Sequence, residues 1–143
     1  MIIRGRCHCR NITFSLVWEP DPLEIVGRAC TCSFCVKHGG VWTSHSGGAL
    51  EVVVGDPARV SKYAFGTRTA AFHLCTECGV VPVVTSRIDG RLYAVVSVNA
   101  FEDVDATLVR RVAMPHGDED VQARLARRKR GWIATVDYRD GDR

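Results

Sequence analysis

Seven cysteines in a chain of 143 residues fall into three tight groups, and this constrains the fold more than any other feature. Cys7 and Cys9 form a C-x-C, Cys30, Cys32 and Cys35 a C-x-C-x-x-C, and Cys75 and Cys78 a C-x-x-C followed by Gly79. Full disulfide pairing would leave one thiol over. The start, "MIIRGRCHCR", lacks the apolar core of a signal peptide, and no apolar run is long enough to cross a bilayer. The expected compartment is therefore cytoplasmic, where disulfides are rare. Short spacings of this kind suit metal ligation, because neighbouring sulfurs on a tight turn can converge on one ion.

A structural zinc site takes four thiolates, usually two pairs from distant parts of a chain. The simplest partition joins Cys7 and Cys9 to Cys75 and Cys78 around one closed zinc. Cys30, Cys32 and Cys35 then hold a second zinc with an open fourth position, as in a catalytic site. Alternatives remain at this point. His38 or His45 could fill the fourth corner and close that site. An iron–sulfur cluster fits less well, since C-x-C-x-x-C does not match ferredoxin spacings. Bare thiols could act as a redox sensor. Seven thiolates and two zinc ions would cancel the formal charge of +3, which weakens any nucleic-acid reading based on net charge.

The remaining residues read as short strands broken by turns. Ile12, Phe14 and Leu16 alternate with polar neighbours, as do Leu50, Val52 and Val54 around theirs. "VSKYAFG" and "TAAFHLC" form a strand pair. Asp89-Gly90 separates two β-rich runs, as a hairpin turn requires. Pro82 places the first of these runs at a sheet edge or at its own starting point, and Val95, Val96 and Val98 belong in the core. Ser33 could cap a single helical turn ending at Gly39-Gly40. "DEDVQARLARRKR" begins acidic and ends basic, as a helix dipole favours. The class is mainly β with one or two short helices. A single domain spans residues 1–136, and residues 137–143 read as a polar, frayed tail.

Three stretches together, "GRCHCRNITFSL", "CTCSFCVKHGG" and "LCTECGV", resemble the glutathione-dependent formaldehyde-activating enzyme family, which also contains centromere protein V. The resemblance covers roughly residues 4 to 105. It implies a β-tent fold of antiparallel sheets, a structural zinc on Cys7, Cys9, Cys75 and Cys78, and a second zinc on Cys30, Cys32 and Cys35, with those three as the catalytic residues. It also implies carbon–sulfur lyase chemistry of the S-hydroxymethylglutathione synthase kind, with glutathione or a similar thiol and formaldehyde or another small aldehyde as partners. Arg10, Leu74 and Val80 depart from the family pattern, and none of them is a zinc ligand. His38 or His45 is a candidate to move a proton during the reaction.

The rival class is a non-catalytic, zinc-stabilised binding module. Arg124, Arg127, Arg128, Lys129 and Arg130 followed by Trp132 could contact a phosphate backbone. The simpler reading is the solvated basic end of a helix, and no recognised nucleic-acid module is present. No membrane partner is expected, and a homo-oligomer is compatible with the sequence.

Overall fold

The computed structural model describes residues 1–117 and 119–140. Twelve strands follow in chain order among these residues. The first six are β1 (Ile2–Arg6), β2 (Ile12–Val17), β3 (Ile25–Cys30), β4 (Val41–Thr43), β5 (Ala49–Val54) and β6 (Val60–Tyr63). The rest are β7 (Ala71–Cys75), β8 (Val83–Ile88), β9 (Arg91–Ser97), β10 (Phe101–Glu102), β11 (Val109–Met114) and β12 (Thr135–Arg139). Among the described residues two α-helices, α1 (Ser33–His38) and α2 (Val121–Gly131), and three single-turn 3-10 helices complete the fold. The mainly β expectation holds.

The strands form a five-stranded sheet in the order β10-β1-β2-β5-β12 and a seven-stranded sheet in the order β11-β3-β4-β9-β8-β7-β6. Most pairs are antiparallel. The two strands from the C-terminal third break that pattern: β11 runs parallel to β3, and β12 runs parallel to β5. Both arrive at a sheet edge from elsewhere in the chain, and a parallel neighbour needs such a crossover.

Alternation of side chains explains how one sheet serves two cores. Ile3, Phe14, Leu16, Leu50 and Val52 from the five-stranded sheet meet Ile25, Val83 and Val96 from the seven-stranded sheet. On the opposite face of the larger sheet, Phe72, Val84, Tyr93 and Val95 pack with Cys35, Trp42 and Trp132. Val95 and Val96 thus point into different cores, and both are buried. A sheet covered on both faces has strands buried along their length rather than alternately; β9 meets this with apolar residues, and β8 with Val83, Val84 and the hydrogen-bonded Thr85 and Ser86.

Local signals act where the sequence places them. Asp89 and Gly90 both take positive φ, 52° and 79°, in the turn between β8 and β9. Pro82 lies just before β8, a central strand, so its missing N–H costs no ladder bond there, and its carbonyl accepts from Ser97 N at 2.8 Å. The Asp120 carboxylate caps α2 by accepting from Ala123 N at 2.8 Å. The N-cap of α1 is Cys32 rather than Ser33: its sulfur accepts from Cys35 N at 3.4 Å. Among the described residues, no helix is long and apolar enough to cross a membrane.

The frayed tail needs correction. Residues 135 to 139 pair in register with 49 to 53, and the Tyr138 hydroxyl lies 3.1 Å from His73 Nδ1. Half-buried Val136 and Tyr138 pack against the inter-sheet core, so the polar residues between them mark the solvent face of an edge strand. Residues 141–143 of the expected tail lie outside the described residues. Deleting residues 137–143 is expected to lower stability by about 1–3 kcal/mol, from lost ladder bonds and apolar contact; urea unfolding of the truncated chain checks this.

Candidate metal centres and cleft

The end of β1 and the end of β7 belong to different sheets, and the turns that follow them meet. There the sulfurs of Cys7, Cys9, Cys75 and Cys78 all lie within 4.8 Å of one another. Cys9 Sγ is 3.8 Å from Cys7 Sγ and 3.4 Å from Cys75 Sγ. Four thiolates at 2.3 Å around a tetrahedral zinc stand about 3.8 Å apart, so the set has the right chemistry and spacing for that ion. Burial pushes the Cys7 thiol up to about 12. Burial opposes ionisation of Cys78 too, but the backbone amides of Cys9 and Val80 prevail and bring it down to about 6.

The turns are tight for a local reason. Gly79 sits at φ 80° and donates its N–H to Cys75 O at 2.8 Å. Arg10 takes the same left-handed region at φ 73° beside Cys9. A glycine there would carry no Cβ penalty, so this departure from the family pattern keeps the backbone path at a local cost. No heavy atom lies within 4 Å of a Cβ built on Gly79. Gly79→Ala is therefore expected to cost only the backbone strain, about 1–2 kcal/mol, without a packing defect; chemical denaturation of the variant measures it.

The second group is built by α1. Cys30 closes β3, Cys32 caps the helix and Cys35 lies one turn in, so their sulfurs also fall within 4.8 Å of one another. Among the described residues, no other cysteine, histidine or carboxylate joins this group. The Trp42 indole N–H donates to Cys35 Sγ at 3.3 Å. Gly40 makes that possible, because a Cβ there would stand 2.9 Å from the indole nitrogen. Interaction with Cys35, helped by the Cys32 amide, lowers the Cys30 thiol to about 5 against its burial, while Cys35 is raised by Cys30 and by burial.

These sulfurs line a cleft of about 160 Å³. Phe65, Phe72, Trp42 and Trp132 form its apolar wall, and Arg28, His116, Arg124, Arg127 and Arg128 its polar one. His38 and His45 are elsewhere. His38 is exposed and stacks on Phe34 at 5.2 Å; His45 stacks on Trp18 at 4.8 Å, with Nε2 donating to Glu19 O at 3.0 Å. The imidazole in the cleft is His116, which sequence reasoning missed.

The basic run is also not simply a solvated helix end. Arg128 is only 7% exposed, stacks over Trp132 at 4.9 Å and donates to Thr69 Oγ1 at 2.8 Å and Ser86 Oγ at 3.2 Å. Glu119 pairs bidentately with Arg127 at 2.8 and 3.0 Å, and Lys129 pairs with Asp89 at 2.9 Å. Arginine at position 128 and tryptophan four residues on was the readable sign, since that spacing stacks two side chains on one helix face.

The family model described as glutathione-dependent formaldehyde-activating enzyme matches residues 2–114. The chain belongs to this family. A solved Rhodobacter sphaeroides protein is 29% identical with a TM-score of 0.54, over 73% of this chain and 92% of that one. No curated protein matches the chain. Every cysteine of both groups lies inside the matched region, whereas His116 and the arginines of α2 lie beyond it.

Proposed function

We propose that the protein is a zinc-dependent carbon–sulfur lyase acting on adducts of glutathione, or a similar thiol, with formaldehyde or another small aldehyde. One observation carries the reading: three cysteine sulfurs converge on the floor of a cleft with no fourth protein ligand among the described residues. Membership of the family supports it. Cys7, Cys9, Cys75 and Cys78 would hold the closed, structural ion, and Cys30, Cys32 and Cys35 the open one. When bound there, zinc supplies a Lewis acid and favours the thiolate form of sulfur near pH 7.

The chain's own residues would do the rest. Helix α1 fixes Cys32 and Cys35 through the Cys32 cap, and Trp42 orients the Cys35 sulfur. Phe65, Phe72 and Trp132 exclude water from the reacting atoms. The substrate sulfur bonds to the aldehyde carbon, the carbonyl π pair moves to oxygen, and that oxygen takes a proton. The reverse reaction breaks the same carbon–sulfur bond. His116 would pass that proton, because its imidazole lines the cleft with the three cysteines whereas His38 and His45 do not. Burial and the neighbouring Arg127 hold this imidazole below its ordinary value, so it is a neutral acceptor and donor near pH 7.

Cys32→Ser is expected to reduce zinc from two ions per chain to one, keep the fold and abolish adduct formation. Cys75→Ser should instead unfold the protein, because that site joins the sheets. Metal analysis with circular dichroism separates the two; equal unfolding by both would remove the support for an open catalytic ion. His116→Gln should retain both ions and lower the rate about 10²-fold, the usual size of a lost acid–base group; steady-state kinetics on the metal-quantified variant reads this.

A further inference from the structure

Four guanidinium groups face the cleft over the three cysteines: Arg28, Arg124, Arg127 and Arg128. Among the described residues they are paired with a single carboxylate, Glu119, which binds Arg127 and lies 3.7 Å from Arg124. Arg28 donates to the neutral Ser44 hydroxyl at 2.8 Å, and Arg128 to the hydroxyls of Thr69 and Ser86. The Nε of Arg128 is buried with no partner. Burial, and then the like charges of Arg127 and Arg124, lowers the Arg128 guanidinium to about 10.

A buried cation with an unfilled donor is costly and calls for an opposite charge. The cysteines do not supply it directly: among the described residues no guanidinium donates to a sulfur, and Cys35 is served by Trp42. Formaldehyde, being neutral, has no use for these arginines. A tripeptide thiol does carry carboxylates, but the cleft of about 160 Å³ is below the roughly 300 Å³ at which pockets begin to enclose larger ligands. Most of such a thiol must stay outside, where its charges are screened. A planar guanidinium fork matches a carboxylate in two hydrogen bonds. The arginines of α2 lie outside the family match at residues 2–114, whereas Arg28 lies inside it.

We propose that the arginine wall formed by Arg28, Arg124 and Arg128 binds the carboxylate of the carbonyl substrate, which is therefore a small aldehyde acid rather than a neutral aldehyde. The inference rests on the lyase reading above. The carboxylate sits against the guanidiniums and the aldehyde carbon faces the three cysteines. The thiol sulfur bonds to that carbon, the carbonyl π pair goes to oxygen, and oxygen takes the proton the thiol gave up. The product is a hydroxy-thioether that keeps the carboxylate.

The test uses the zinc-loaded full chain, with glyoxylate, formaldehyde and glutathione as separate probes. Trp42 and Trp132 line the cleft, so their fluorescence reports binding. Glyoxylate is expected to quench it saturably, and Arg28→Gln and Arg124→Gln each to weaken that binding at least tenfold while circular dichroism stays native. The ratio of kcat/KM for glyoxylate over formaldehyde, each with glutathione, should fall at least tenfold in both variants. Failure of glyoxylate to bind, or equal binding by the variants, overturns the proposal. So does a loss confined to glutathione binding, which would place the thiol's own carboxylate on the wall. Formaldehyde adducts formed without glyoxylate binding would sink this inference and leave the lyase reading standing. Arginine-dependent glyoxylate binding without any adduct would overturn the lyase reading, and with it the assignment of an aldehyde acid as substrate, leaving only a carboxylate-binding site on the wall.

Discussion

Four sulfurs from two different sheets meet at one point, and the positions of the other elements depend on that junction. Cys7 and Cys9 follow the end of β1 in the five-stranded sheet, while Cys75 ends β7 in the seven-stranded one and Cys78 lies in the turn after it. Bare thiols would hold them weakly: Cys7 is buried and resists ionisation, while nearby amides favour the thiolate of Cys78. A divalent ion held there would remove this conflict, because it would bind all four as thiolates. Closing a loop of nearly seventy residues also restricts the unfolded chain more than a short loop would, although the gain grows slowly with length. With the sheets joined there, Leu16, Val52 and Val96 fill the space between them.

The larger sheet does two jobs because its central strands are buried on both faces. One face closes the inter-sheet core and the other forms the floor for α1, α2 and the cleft. This is why the chemistry can differ on the two sides. The closed sulfur group stands at the junction between the sheets, and the open one faces a half-enclosed space lined by aromatic rings and arginines. A fold fixed by the first group can tolerate change around the second.

The cysteine partition was legible because ligand spacing is local and the pairing of distant groups follows from counting to four. The β8–β9 hairpin was legible because Asp89-Gly90 carries its own conformational signal. Other features depend on tertiary placement and leave weak traces. Strand β12 was hidden by polar residues, since an edge strand exposes one face and Asp137 and Arg139 occupy it. Strand β11, at the edge of the larger sheet, carries two adjacent exposed arginines, Arg110 and Arg111, and so shows no alternation. His116 lies in a connecting segment with no periodicity, and nothing in its neighbours says that it turns into the cleft. The helix α2 was visible, but the burial of Arg128 was not. Its fate was set by Thr69, Ser86 and Trp132, two of which are far away in sequence.

The central claim is that one sulfur group is closed and the other open, and zinc coordination of the freshly purified protein tests it most directly. Metal analysis combined with zinc X-ray absorption, before and after adding glutathione, gives both the number of ions and their ligands. The account predicts two ions per chain, one with four sulfurs that ignores glutathione, and one with three sulfurs and a lighter atom that gains sulfur character when the thiol is added. A single ion per chain, or a second site already filled by a protein histidine and unchanged by glutathione, would contradict it.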